Sequence, residues 1–271
     1  MSQTDNIFAG SIPALYDRCL GPVIFEPYAV DLAKRVEDLT EGRLLETAAG
    51  TGLVTRAIAR TVPDRVAIVA TDLNQPMLDF AASRMKAERR PIAWRQADAL
   101  ALPFADGMFD AVVCQFGVMF FPDKPRAFRE VLRVLKSGGR VVFNVWDRIE
   151  ENEFADVVQE AVAAIFPADP PKFLARTPHG YHDITLIRDQ LRAAGFARTE
   201  IETVTRPARA PSPLDPATGF CQGTPLRNEI EARDPARLGE ATEAAVAALA
   251  ARFGEGPIEG KMRAHVVVAI R

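Results

Sequence analysis

The sequence predicts a doubly wound α/β fold, a mostly parallel sheet with helices packed on its two faces. Three observations predict it. From residue 43 onward short apolar segments alternate with helical ones. Those segments are apolar without alternation, as in VAIVAT (66–71), which marks strands buried on both faces. Between the first strand and the first helix of the series lies a loop of small residues, Ala48-Ala49-Gly50-Thr51-Gly52.

The elements follow in order. Ser11 and Pro13 mark a helix start, and Phe25, Tyr28, Leu32, Val36 and Leu39 recur at helical spacing, so residues 1–40 read as a helical N-terminal cap. Arg43 to Thr47 is the first strand, and Leu53 to Thr61 a helix carrying Val54, Ala57 and Ile58 on one face. Val66 to Thr71 is the second strand, followed by a helix from Gln75 to Arg89 with Met77, Leu78, Ala81 and Met85 on its apolar face. Ile92 to Ala97 and Phe109 to Gln115 are the third and fourth strands. A helix from Lys124 to Lys136 is expected to stop at Ser137-Gly138-Gly139 before the fifth strand, Arg140 to Trp146. Glu153 to Phe166 is helical, Pro167 to His179 a proline-containing loop, and Asp183 to Ala194 a helix closed by Gly195. Ala197 to Thr205 is the sixth strand. Pro207, Pro211, Pro213 and Pro216 then exclude the interior of a regular element. Helices from Leu214 and from Pro235 to Phe253 precede a final strand, Met262 to Ile270. The expected organisation is one domain: cap 1–40, core 41–204, a helical insertion or lid at 205–260 between the last two strands, and a closing strand at 261–271.

Composition narrows the function classes. The 271 residues are 48% hydrophobic and 25% charged, enough apolar material for a sizeable core. Thirty-three basic against thirty-six acidic residues leave a net charge of −3, with no basic field for nucleic acid or an anionic membrane. The basic cluster Lys86, Arg89, Arg90 and Arg95 reads as a solvated helix end. Cys19, Cys114 and Cys221 are widely spaced and odd in number, which gives neither a disulfide framework nor a cysteine metal site. No metal is expected, and the reading suits a reducing, cytoplasmic setting. No apolar run reaches the length of a membrane span.

The strongest local signal is Glu46-Thr47-Ala48-Ala49-Gly50-Thr51-Gly52, a strand-to-helix turn whose glycines admit a ligand to the backbone. Asp72 lies 22 residues past Gly50 at the end of the next strand, near the ~20 expected of an acid that binds ribose hydroxyls. A structural turn and a helix cap are the alternatives for these two features. In a dinucleotide fold the loop ends on a third small residue, where this chain has Thr55. That counts against a nicotinamide oxidoreductase, and no phosphate-binding loop of the ATPase kind is present.

Taken in order, four segments resemble the class I S-adenosylmethionine-dependent methyltransferases, in the branch of the ubiquinone/menaquinone C-methyltransferases and related small-molecule enzymes. LLETAAGTGLVTRAIA (44–59) is similar to their glycine-rich motif and ATDLNQPMLDFA (70–81) to the ribose-acid segment. QADALALPFADGMFDAVVCQFGVMFFPDK (96–124) resembles the adenine-side motif and the fourth strand with its loop, and FREVLRVLKSGGRVVFNVWD (128–147) the helix, turn and fifth strand. Ala48-Ala49 departs from the Gly-Cys that many members carry.

The resemblance implies a Rossmann-like seven-stranded sheet of order 3-2-1-4-5-7-6 with the last strand antiparallel. It implies S-adenosyl-L-methionine as cofactor and S-adenosyl-L-homocysteine as product. Backbone at Ala48, Gly50 and Gly52 would border the methionine half, with Glu46 near its amino group. Asp72 would take the ribose hydroxyls, and Leu73 and Met77 would flank the adenosine. Asp98 and Ala99 would meet the adenine edge, while Gln115 and Phe116 would sit beside the sulfonium. Tyr16 stands where members close the cofactor site with an N-terminal aromatic.

Phe116, Val118, Met119, Phe120 and Phe121 follow the fourth strand and suit an apolar acceptor pocket or, equally, core. His179 and His182 are candidate bases for a hydroxyl or carbon-acid acceptor, while His265 in the last strand reads as structural. The expected partner is a small hydrophobic or aromatic acceptor, not nucleic acid. A homodimer is left open. A protein that binds the cofactor without catalysis stays as an alternative, since binding motifs show binding only.

Overall fold

The computed structural model describes residue 10, residues 12–86 and residues 90–271. Ser11 and Arg89, named above, lie outside them. In chain order the elements are α1 (Ile12–Leu15), a π-helical turn series (Tyr16–Phe25), α2 (Glu26–Lys34), β1 (Gly42–Glu46), α3 (Leu53–Thr61), β2 (Val66–Asp72), α4 (Gln75–Met85), β3 (Ile92–Gln96), β4 (Phe109–Gln115), α5 (Lys124–Val134), β5 (Leu135–Trp146), α6 (Glu153–Ile165), α7 (Phe173–Arg176), α8 (Ile184–Ala194), β6 (Arg198–Ala210), α9 (Leu214–Gln222), α10 (Leu226–Arg233), α11 (Leu238–Phe253) and β7 (Ile258–Ile270).

The seven strands form one sheet of order β3-β2-β1-β4-β5-β7-β6. The pairings among β1 to β5 are parallel, with Glu46 opposite Ala70 on one side and Val113 on the other. β7 runs the other way. Arg271 donates to Gly139 O and Asp147 to Arg263 O, so residue numbers fall along β7 as they rise along β5. The central strands are lined by fully buried residues, Leu44 and Leu45 in β1 and Ala111, Val112 and Val113 in β4. Burial on both faces is why they lack polar alternation.

Two compact units partition the chain. One comprises Tyr28–Val145, His182–Val204 and His265–Arg271 and holds most of the sheet. The other comprises the described residues up to Pro27, Trp146–Tyr181 and Thr205–Ala264. In this second unit α6, α9 and α11 pack together, and α9 lies against the Tyr16–Phe25 segment. Gly219 lets the two come close: a Cβ there would lie 2.6 Å from Leu20 Cδ2.

Several sequence expectations are corrected. The Ser137-Gly138-Gly139 run does not stop a helix, because α5 ends at Val134 and Leu135 is already extended and paired with Phe109. The run is an irregularity inside β5, where the ladder resumes at Ala111 and Arg140. β6 runs on through Pro207 to Ala210 instead of stopping at Thr205. It is the outermost strand, and on an edge an N–H that faces away from the neighbouring strand has no ladder bond to lose. β7 likewise begins at Ile258, so the segment between the last two strands is 211–257. The Pro167–His179 loop contains α7. The N-terminal cap is not one regular helix: Glu26 N–H donates to Gly21 O, five residues back, with Pro22 inside the segment.

Arg90 is not a solvated helix end. Its guanidinium donates to Ala59 O, Val62 O, Pro63 O and Val66 O, closing the C-terminal end of α3 and the start of β2. Arg95 lies over the Phe104 ring at 5.2 Å.

Candidate functional site

The parallel strands β1, β2 and β4 bring their carboxyl ends to one edge of the sheet. β1 has β2 on one side and β4 on the other, the switch point at which ligands of such sheets bind. At that edge lie Glu46, the Ala48–Gly52 turn, Asp72, Gln115 and Phe116, all within one unit.

The turn is built by backbone bonds to its neighbours. Thr47 N donates to Val113 O and Ala49 N to Thr71 O, each at 2.9 Å. Gly50 N donates to Asp72 Oδ2 at 2.9 Å, and Asn74 N to Asp72 Oδ1 at 2.8 Å. Each carboxylate oxygen of Asp72 therefore already accepts from a backbone N–H and keeps further lone pairs. Burial pushes the Asp72 carboxyl above its ordinary value, and these N–H groups pull against that.

Ala48 and Phe116 are the two described non-glycine residues with positive φ, at +52° and +47°. Ala48 thus adopts the left-handed conformation that its side chain disfavours. Gly50 and Gly52 use glycine differently. At Gly50, φ is +55° and an added Cβ would meet nothing within 4 Å, so the turn faces open space there. At Gly52, φ is +78° and a Cβ would lie 3.0 Å from Ala81 Cβ, so this glycine also lets α4 approach.

Glu46 is 1% exposed, and burial pushes its carboxyl up to about 8. Thr55 Oγ1 donates to Glu46 Oε2 at 2.5 Å, and Thr71 Oγ1 donates to Glu46 O at 2.9 Å. Thr55, which departs from the dinucleotide pattern, therefore serves the acid at the end of β1. Thr51 Oγ1 is buried in the turn with no partner among the described residues. An acid that burial holds mostly protonated at neutral pH, an orphaned hydroxyl and an open glycine turn fit a ligand that carries an ammonium group.

The remaining sequence candidates sort by location. Met77 is buried and Leu73 is 47% exposed. Asp98 is exposed and folds back on its own loop, with Leu100 N donating to its Oδ1 at 2.8 Å. Phe116, Val118 and Met119 are buried, while Phe120 and Phe121 are half-buried. His182 is half-buried and directly precedes Asp183, the N-cap of α8. His265 Nδ1 lies 3.0 Å from Thr203 Oγ1.

Tyr16 and His179 belong to the other unit. There Tyr16 stacks on Phe25 with ring centroids 4.6 Å apart. His179 is buried, with Nδ1 2.8 Å from Asp147 O and its ring 6.0 Å from that of Trp146. Sequence reasoning missed Thr51, Thr55 and Asn144 as members of the site. Asn144 had a legible signal, a lone amide inside the apolar run VVFNVW. It is fully buried, and its Oδ1 accepts from Phe116 N at 2.9 Å. Among the described residues no cluster of His, Cys, Asp and Glu is arranged to hold a metal ion, and no helix is long and apolar enough to cross a membrane.

Comparison with known proteins agrees with this geometry. Residues 45–143 match the model of a methyltransferase domain family. The chain is 28% identical over 206 residues to the demethylmenaquinone methyltransferase of Lactococcus lactis, a match covering 71% of this chain and 81% of that protein. It is 29% identical over 175 residues to the ubiquinone/menaquinone biosynthesis C-methyltransferase UbiE of Saccharophagus degradans, covering 60% of this chain and 70% of the relative. Its fold is shared with the YcgJ protein of Bacillus subtilis, with a TM-score of 0.60 at 20% identity over 90% of this chain and 98% of the other. With the ordered motifs, the strand order and these relatives in agreement, residues 45–143 carry an S-adenosylmethionine-dependent methyltransferase domain.

Proposed function

We propose that this enzyme methylates a small acceptor with a hydrophobic or aromatic body. The observation that carries the reading is the apolar turn Phe116–Phe120, delivered by β4 to the same strand ends as Gly50 and Asp72. The relatives named for demethylmenaquinone and for ubiquinone/menaquinone biosynthesis support an acceptor of quinone type.

S-adenosylmethionine, when bound, supplies an activated methyl group. Glu46 would hold its amino group, Thr51 and the backbone of Ala48, Gly50 and Gly52 its methionine half, and Asp72 its ribose. Leu73 and Met77 would flank the adenosine, and Asp98 and Ala99 its adenine edge. Gln115 and Phe116 would border the methyl group, with Met119 and Phe120 on the acceptor side. Holding nucleophile and methyl aligned is worth about 7–11 kcal/mol, and an apolar surround favours a transfer in which charge is lost.

His179 and His182 are the two proposed bases for an acceptor that must lose a proton. The Asp147 carbonyl 2.8 Å from His179 Nδ1 requires the proton on that nitrogen. Against a nicotinamide enzyme stands Thr55, whose buried side chain fills the place where the third glycine would lie.

Calorimetric titration with S-adenosylhomocysteine, NAD and NADPH tests the cofactor assignment, with binding expected for the first alone. A screen of phenols, quinols and fatty acids, read as S-adenosylhomocysteine formation, then tests the acceptor class. Turnover confined to polar sugars or amines would overturn the acceptor reading, and cofactor binding without turnover on any acceptor would favour a non-catalytic role.

A further inference from the structure

Asn144 is the one fully buried amide on β5, next to Gln115 of β4 in the parallel register. Its Oδ1 accepts from Phe116 N at 2.9 Å, and its own backbone O accepts from the same N–H at 3.3 Å. Its Nδ2 is buried and has no acceptor among the described residues. An apolar residue would fill this place without leaving a buried donor unsatisfied, and orphaned donors carry a cost. What the amide does provide is a hold on Phe116, which sits in the left-handed region at φ +47°. Phenylalanine does not adopt that conformation unaided, and it persists only where surrounding contacts over-determine it. A second contact comes from Tyr28, whose ring meets that of Phe116 edge-on at 5.4 Å and whose hydroxyl donates to Val204 O.

We propose that Asn144 is a positioning residue for methyl transfer. Its side-chain carbonyl locks the Phe116–Gly117 turn in the left-handed form and so fixes the wall against which the methyl-bearing end of the cofactor lies. The assignment rests on the placement of Phe116 beside that end of the cofactor.

The test reads S-adenosylhomocysteine affinity by calorimetry. The variants are Asn144→Leu, which keeps the volume and removes the acceptor, Asn144→Asp, which keeps the acceptor, and Phe116→Gly alone and combined with Asn144→Leu. Should the leucine variant not fold, Asn144→Ala takes its place. Asn144→Leu is expected to weaken binding at least tenfold and Asn144→Asp to restore it to within about threefold of wild type. In the Phe116→Gly background the leucine substitution should change affinity by less than twofold, because glycine takes a positive φ without help. An unchanged affinity in folded Asn144→Leu, or an equal loss in both backgrounds, overturns the proposal. Wild-type protein that fails to bind S-adenosylhomocysteine would remove the cofactor reading itself, and this assignment with it.

Discussion

The methyl group of Ala48 occupies space that Gly117 leaves open. A Cβ built on Gly117 would lie 2.5 Å from Ala48 Cβ and 2.8 Å from Cys114 Sγ. The turn after β1 and the turn after β4 are thus fitted to each other at the sheet's switch point, with alanine on one side and glycine on the other. Gly117→Ala is expected to destabilise the protein by about 1–3 kcal/mol, the usual cost of overpacking, measured by denaturant unfolding. Ala48→Gly alone should be close to neutral. It removes ~1–2 kcal/mol of left-handed strain and adds about 0.5–1 kcal/mol of chain entropy to the unfolded state. Combined, the two substitutions should cost less than Gly117→Ala alone. An additive double mutant would show that the two turns do not share this space.

Asp72 ties three segments together through Gly50 N, Asn74 N and the β3 partner of its own strand. Replacing it with alanine should weaken S-adenosylhomocysteine binding by about 1.5–3 kcal/mol for each hydrogen bond lost to the charged group. In a variant shown to be folded by circular dichroism, an unchanged dissociation constant would dismiss Asp72 as the ribose ligand.

Much of this arrangement was legible in the sequence, because buried parallel strands announce themselves. Phe109–Gln115 was readable to the residue, since its apolar run is bounded by Gly107 on one side and by the turn at Phe116 on the other. The glycine turn and the place of Asp72 at the end of β2 were legible too, because few residue types permit that backbone and the apolar run of β2 stops at the acid. β6 was cut short at Thr205 because proline argues against a central strand, and an edge position cannot be inferred from local sequence. The Ser137–Gly139 run has the composition of a helix stop, and only pairing with β4 shows it as a strand irregularity. Thr55 and Asn144 escaped because their function is a side-chain bond to a residue 9 or 28 positions away, which no periodicity records.

Arg90 was misread for a related reason, since a cation near a helix end is usually solvated. Its side chain is 7% exposed and satisfies carbonyls at the end of α3 and the start of β2. Arg90→Ala should therefore cost about 2–4 kcal/mol, several charge-assisted bonds less the water that replaces some of them. Arg90→Lys should recover little, because a single ammonium cannot reach several diverging carbonyls as a guanidinium fork does. Urea unfolding of the three proteins decides this, and a loss below about 0.5 kcal/mol, typical of a surface substitution, would return Arg90 to the solvent.

Glu46 gives the prediction that most directly joins structure to binding. Its folded pKa of about 8 lies above the 4.5 of the free side chain, because burial disfavours the charged form. At pH 7 the free enzyme therefore holds this carboxyl mostly protonated. An ammonium group docked against Glu46 favours ionisation, so cofactor binding should release close to one proton. Calorimetry of S-adenosylhomocysteine binding at pH 7, in buffers of differing ionisation enthalpy, measures that release directly. It should vanish in Glu46→Gln, and it should diminish in wild type above pH 8, where the carboxylate is already formed. The same shift governs stability with a definite sign. Between about 4.5 and 8 the native state binds a proton that the unfolded chain has lost, so this residue's contribution to stability falls as pH rises through that window and is constant above it. Glu46→Gln has no proton to lose, so its unfolding free energy relative to wild type should rise across the same window. Proton release that persists in the glutamine variant would assign the titrating group elsewhere, with Asp72, also raised by burial, as the nearest candidate.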